Sequence, residues 1–198
     1  MKLAACLLVA LAAPAQFAPD CFSRPADAQR GRIRAAQQRA LKLLRLGTVR
    51  IHTPAGTDFM FRMGARSAPA GGGEVDLPAG VLRLAPVNES ASGNIVIPEA
   101  RFGGTVAKKV VLQIDNGRQT RAKAEAGLEA VEAARRFWEF AVGFNPQPGC
   151  GAGGVWLSLG GDEGAGGNPR RFFFPDATVH VDYRYLVRDG KLVFQESR

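Results

Sequence analysis

The chain has 198 residues, a formal net charge of +8 and 46% hydrophobic residues. This is the composition of an ordinary globular protein and excludes a disordered or collagen-like chain. No apolar run approaches the roughly 18 residues of a membrane-spanning helix, and three cysteines without a CxxC pair exclude a zinc ribbon or finger.

The amino terminus has the pattern of a secretory signal peptide. Lys2 precedes an apolar run from Leu3 to Ala13, and Ala13-Pro14-Ala15 fits a cleavage site with small residues. We therefore expect a signal peptide at residues 1–15, a linker at 16–28, and one domain at 29–198 of a periplasmic or secreted protein.

Cleavage after residue 15 would leave the mature chain with two cysteines, Cys21 and Cys150. Such a pair can form a disulfide in an oxidising compartment, where it would restrict the unfolded chain. The sequence leaves open whether the two are close enough to pair.

Most of the positive charge lies in one stretch. Between Arg24 and Arg50 there are eight basic residues and one acid, Asp27. The stretch has no interleaved aromatic residues, so we interpret it as a solvated helix face and expect no nucleic-acid partner.

Hydrophobic periodicity predicts two helices. Ile33, Ala36, Ala40 and Leu44 recur at helical spacing within residues 29–46, and Gly47 is a stop signal. The Ala-rich segment from Thr120 to about Val142 has the composition of a second helix.

The remaining regular segments favour strands. Residues 48–53 and 59–63 flank a Pro-Ala-Gly turn and predict a hairpin. Asn116-Gly117 is a further turn signal. The other predicted strands are residues 81–86, 94–97, 106–115, 178–187 and 192–195. Helices and strands do not alternate, so we predict an α+β fold of one domain: a mainly antiparallel sheet with two principal helices.

Few residues can carry chemistry. No GxSxG sequence is present, and the only histidines are His52 and His180. His180 and Asp182 are two apart in a predicted strand, so their side chains should share a face and suit a metal ion or a hydrogen bond. Glu139, predicted near the end of the second helix between Trp138 and Phe140, either faces solvent or has a partner.

Seven segments in order resemble the aminopeptidase T family of metallopeptidases over residues 48–195. They are TPAGTDF at 53–59, DLPAGV at 76–81, the segment 85–93, DNG at 115–117, EFAVGFNP at 139–146, GGVWLSLG at 153–160 and TVHVD at 178–182. The resemblance implies a hydrolase with two metal ions, held by two glutamates, two histidines and an aspartate. Family members are longer and carry an additional amino-terminal domain.

The resemblance carries over only in part. Glu139, His180 and Asp182 match ligand positions, but Val81 and Trp156 stand where the family has a glutamate and a histidine. The family's active-site tyrosine has no counterpart. We therefore expect at most one divalent ion (zinc, cobalt or manganese) at Glu139, His180 and Asp182.

Two functions follow from the resemblance. The first is an exported aminopeptidase-like metallohydrolase that cleaves amino-terminal residues from a peptide substrate. The alternative is a catalytically inactive relative that acts as a binding or structural protein, because Val81 and Trp156 cannot ligate metal. A single-iron oxygenase, which typically uses two histidines and one carboxylate, is a weaker third hypothesis that Trp156 disfavours.

Overall fold

The computed structural model of the protein describes residues 27–64, 80–102, 104–132, 135–160 and 170–193, without the side chains of residues 27 and 28. The predicted signal peptide and residues 16–26 of the predicted linker lie outside these ranges. The described residues form two helices and twelve strands. They are α1 (Asp27–Leu44), β1 (Thr48–His52), β2 (Asp58–Arg62), β3 (Val81–Leu84), β4 (Val87–Phe102), β5 (Thr105–Asp115), β6 (Arg118–Lys123), α2 (Glu129–Glu132), β7 (Phe137–Gly143), β8 (Val155–Leu159), β9 (Arg170–Phe174), β10 (Thr178–Val181), β11 (Arg184–Arg188) and β12 (Lys191–Leu192).

Hydrogen bonds join these strands into two sheets. The first sheet has eight strands in the order β12-β11-β10-β1-β2-β4-β5-β6, and the second sheet has four in the order β3-β7-β8-β9. Every strand pair within the two sheets is antiparallel. The mainly antiparallel sheet predicted from the sequence is therefore confirmed, although the fold is more strongly β than expected.

One hydrophobic core lies between the two sheets. Successive strand side chains point to opposite faces, and in β2 Phe59 and Phe61 are fully buried while Asp58, Met60 and Arg62 are exposed. The ring of Phe59 lies 4.9 Å from that of Phe137 in the second sheet, and Phe61 lies 5.2 Å from Phe140. Each sheet consequently has an inner face on this core and an outer face that points away from it.

Helix α1 adds its apolar stripe to the same core. Ile33, Ala36, Ala40 and Leu44 are buried there, as the helical spacing predicts. Leu46, with φ of 63°, turns the chain after the helix, and Gly47 permits a close approach because a Cβ there would lie 2.7 Å from a methyl group of Val181. None of the helices in the described ranges has the length and apolarity that crossing a membrane requires.

The prediction of a helix from Thr120 to Val142 is wrong. This segment holds β6, the four-residue helix α2 and β7. Strand β7 is almost entirely buried and pairs with β3 and β8 on its two sides. A short, continuously apolar run does not distinguish a buried strand from a buried helix, and here sheet pairing outweighs the helix propensity of the alanines. Glu139 therefore lies on a strand.

Other strands also differ from the prediction, and the predicted strand 94–97 is part of the longer β4. Residues 178–187 form a hairpin, β10 and β11, instead of one strand. Strand β9 and the apolar strand β8 (Val155–Leu159) were not predicted. At the carboxyl terminus β12 covers Lys191–Leu192, while residues 194 and 195 of the predicted strand lie outside the described part of the chain.

Replacement of Phe61 by Ala tests the central role of the aromatic core. The substitution removes the contacts of a fully buried ring with the second sheet and should lower the free energy of unfolding by about 3–5 kcal/mol. Met60→Ala, at the exposed neighbouring position, should cost no more than about 0.5 kcal/mol. Urea unfolding followed by circular dichroism measures both, and equal losses would contradict the proposed core.

Candidate functional site

The outer face of the second sheet carries a buried carboxylate. Glu139 of β7 is only 4% exposed, and its neighbour across the ladder, Ser158 of β8, is fully buried. The Ser158 hydroxyl donates a hydrogen bond of 3.0 Å to Glu139 Oε1. The Nε atom of Arg171, on β9, lies 3.8 Å from the same oxygen. The carboxylate thus has both a hydrogen-bond donor and a compensating charge, as burial requires.

An apolar cluster lies beside this carboxylate. Val81, Ala141 and Trp156 pack together on the outer face, apart from the main core. Ala141 is two residues from Glu139 on β7. Trp156 of β8 pairs with Ala141 across the β7–β8 ladder. The positions to which the resemblance assigns a glutamate (Val81) and a histidine (Trp156) are therefore neighbours, and both are occupied by apolar side chains.

A cleft of about 390 Å³ opens next to Trp156. The rings of Trp156 and Phe173, paired across the β8–β9 ladder, lie 4.7 Å apart and are tilted by 34°. The described residues that line the cleft are Pro146, Gln147, Pro148, Gly149, Gly151, Ala152, Gly154, Trp156, Phe173 and Pro175. None of them carries a charge.

Close packing fixes the shape of the cleft. A Cβ at Gly154 would lie 2.5 Å from the Phe173 ring and 3.0 Å from the Gly151 carbonyl oxygen, so any residue other than glycine would have to displace that ring. Cys150, within the cleft-forming segment, is fully buried and disulfide-bonded. Cys21 lies outside the described residues, so its pairing with Cys150, which the sequence leaves open, stays open.

The outer face of the first sheet brings both histidines of the sequence together. His52 of β1 and His180 of β10 have ring centroids 6.1 Å apart, and the ring of His180 lies 4.2 Å from that of Tyr185. Arg50 donates two hydrogen bonds, of 3.0 and 2.9 Å, to the carboxylate of Asp58. No local pattern pairs the two histidines, because their strands are distant in the sequence.

Cationic side chains dominate the electrostatics of this face. The hydrogen-bonded guanidinium of Arg50 holds the pKa of Asp58 below its ordinary value. Burial lowers the pKa of His180, and the positive charges of His52, Arg188 and Arg50 lower it further. The neutral imidazole is therefore favoured at this position.

Asp182 has a structural role in the hairpin turn. Its φ is 53°, and its carboxylate accepts a hydrogen bond of 2.9 Å from the backbone N–H of Thr48. The alternation of side chains ends with β10 at Val181, so the spacing of His180 and Asp182 does not give the shared strand face that the sequence predicted.

The three predicted ligands do not converge. Glu139 is on the outer face of the second sheet and His180 on that of the first, so the core separates them. The described ranges contain no group of three or more His, Cys, Asp or Glu side chains that could hold a metal ion. Binding of a single ion by Glu139, His180 and Asp182 thus stays a prediction without a formed site.

The residues present do not fit the two-metal site that the resemblance implies. Val81 offers no donor atom, and the Trp156 indole is not a metal ligand. Among the described residues, the carboxylate near them is that of Glu139, which accepts a hydrogen bond from Ser158 and lies close to Arg171. Sequence reasoning missed both partners, because it placed Glu139 in a helix and did not predict β9.

Several solved structures have a similar fold, among them the following two. The chain matches a 2,5-dihydroxypyridine dioxygenase from Pseudomonas putida KT2440 with a TM-score of 0.66 and 18% identity, over 92% of this chain and 65% of that chain. It matches wild-type AmpT (aminopeptidase T) from Thermus thermophilus with a TM-score of 0.54 and 19% identity, over 87% of this chain and 56% of that chain. No protein-family model and no curated protein matches.

These similarities establish a remote structural relationship. At such low identity they show a shared fold and nothing about activity. The chain spans less than two thirds of the length of either structure. The relationship to aminopeptidase T that the sequence segments indicated is confirmed at the level of fold.

Removal of the Ser158 hydroxyl should destabilise the protein. Ser158→Ala leaves Glu139 buried without its hydrogen-bond donor, which should cost about 1–3 kcal/mol in the free energy of unfolding. Ser92→Ala, on the outer face of the first sheet, is the matched control and should change stability by less than about 0.5 kcal/mol. Equal stability of the two variants in urea unfolding would contradict the role of Ser158.

Replacement of Arg188 by Gln should raise the pKa of His180, because a nearby positive charge is removed while the effect of burial remains. A depressed histidine pKa contributes stability that is present above the unfolded value of about 6.5 and is lost as pH falls through the folded pKa. In the variant, the folded pKa of His180 should lie closer to the unfolded value, so less stability should be lost as the pH falls. Histidine NMR titration measures the shift, with Arg62→Gln as control; an unchanged or lowered pKa for Arg188→Gln would refute this account.

Proposed function

We propose that this protein is a binding protein built on a fold shared with aminopeptidase T, and that it does not hydrolyse peptides. The observation that carries the proposal is the cluster of Val81, Ala141 and Trp156. Two of its members stand at positions to which the sequence resemblance assigns metal ligands. Divalent ions need oxygen, nitrogen or thiolate donors to replace their water, and an apolar cluster supplies none.

The contacts of Glu139, the acidic residue that the described strands place on this face, support the proposal. Glu139 Oε1 accepts the Ser158 hydroxyl and lies 3.8 Å from Arg171. A metal ion bound to this oxygen would compete with that hydrogen bond and would be repelled by the guanidinium. The arrangement is that of a buried carboxylate with a hydrogen-bond donor and a nearby cation.

The aminopeptidase-like hydrolase is the second candidate. The name of the similar Thermus thermophilus structure supports a hydrolase of the peptidase kind, and Glu139, His180 and Asp182 are the residues that would hold its single metal ion. For this activity the chain would have to bring together side chains that lie on opposite outer faces. The other similar structure is named a dioxygenase, so the fold by itself favours neither chemistry.

We further propose that the protein is exported. The amino-terminal sequence has the pattern of a signal peptide, and Cys150 is disulfide-bonded. Disulfides persist in the periplasm and outside the cell, and are rare in the cytosol. Both observations support a periplasmic or secreted protein.

Metal content and peptidase activity distinguish the two candidates. The purified mature protein is dialysed separately against zinc, cobalt and manganese, its bound metal is measured by mass spectrometry, and each sample is assayed with Leu- and Arg-p-nitroanilide. We expect clearly less than one ion per chain and no hydrolysis above that of Glu139→Gln and His180→Ala. One ion per chain with hydrolysis that both substitutions abolish would overturn the binding-protein proposal.

A further inference from the structure

The cleft beside Trp156 has the chemistry of a site for an uncharged ligand. Its volume of about 390 Å³ is within the range of roughly 300–1,000 Å³ for small-molecule sites. Among the described residues of its lining, Gln147 alone has an amide side chain and none has a charged one. An ionic ligand would lose hydration there without gaining a counter-charge.

The aromatic pair favours a ring-shaped ligand. Trp156 and Phe173 pack against each other in a tilted contact, with a centroid distance of 4.7 Å and an angle of 34° between the ring planes. Aromatic rings stabilise each other in offset and edge-to-face contacts beyond the area that they bury. A ligand ring in this cleft would meet these two rings together with Pro146, Pro148 and Pro175.

The walls of the cleft are held in place before any ligand binds. Gly154 lies so close to the Phe173 ring that a Cβ would displace it, and backbone hydrogen bonds hold Gly153 to Gly143 and Gly154 to Gly151. The proline rings restrict the backbone further. A pre-organised site loses little conformational entropy when it is occupied, so even a small ligand can bind.

From these features we infer that the cleft binds an uncharged planar ring compound, an aromatic or heteroaromatic small molecule whose ring packs against Trp156 and Phe173. Glu139, Arg171 and Arg83 are charged residues of the same sheet face, and none of them is among the described residues that line the cleft. The inference rests on the proposed binding function and names its ligand class.

Two fluorescent probes with the same rings test the ligand class. N-phenyl-1-naphthylamine is neutral, and 8-anilinonaphthalene-1-sulfonate adds one negative charge. The protein has two tryptophans, so Trp138→Phe leaves Trp156 as the only indole emitter. In this variant the neutral probe should bind saturably with one site per chain and quench Trp156 emission. The anionic probe should bind at least about tenfold more weakly, because no described lining residue neutralises it.

Substitutions then locate the site. Trp156→Ala should weaken binding of the neutral probe at least about tenfold, whereas Trp156→Phe, which keeps a ring, should stay within about threefold of the wild type. Gly154→Ala should also weaken binding by moving Phe173. Tyr185→Ala removes an aromatic residue from the outer face of the first sheet and should leave binding unchanged. Circular dichroism establishes that each variant is folded.

Several results would overturn the inference. They are non-saturable binding, unaltered emission of Trp156 in the Trp138→Phe protein, tighter binding of the anionic probe, or equal binding by a folded Trp156→Ala variant. If the probe fails to bind and peptidase activity is absent, the ligand class is wrong and the binding-protein proposal stands. If the probe binds and the protein hydrolyses p-nitroanilides with bound metal, the proposed function is wrong and the cleft assignment stands.

Discussion

The packing of aromatic rings between the two sheets determines the rest of this structure. Phe59 and Phe61 of the first sheet meet Phe137 and Phe140 of the second. Because side chains alternate along a strand, burial of these rings fixes which neighbours point outward, and a shift of one residue would exchange the two faces. The outer faces consequently point in opposite directions, each with its own chemistry.

These two faces explain why the described residues of a fold shared with enzymes form no metal centre. The second sheet presents an apolar cluster, an aromatic cleft and a carboxylate engaged by Ser158 and Arg171. The first sheet presents two histidines among arginines, where positive charge disfavours a bound cation. A fold supplies positions for side chains, and the side chains at those positions decide the chemistry.

Local sequence patterns predicted the elements in which periodicity and turn signals agree. Helix α1, the β1–β2 hairpin and β5 all have regular apolar spacing bounded by turn or stop residues. The prediction was wrong at β7, where alanines precede a short apolar run. Whether this run forms a helix or a strand depends on its pairing with β3 and β8. The partners of Glu139 were missed for the same reason: Ser158 and Arg171 come next to it only through ladders between strands distant in sequence.

The sequence by itself determined which donor atoms the chain has. Valine at position 81 and tryptophan at 156 cannot ligate metal in any fold, so this conclusion did not need coordinates. Only the tertiary structure decided where the available donors point. Glu139 and His180 lie on different sheets, and the direction of each side chain depends on the core against which its strand packs. Contacts between distant segments decide that direction, and no local pattern contains them.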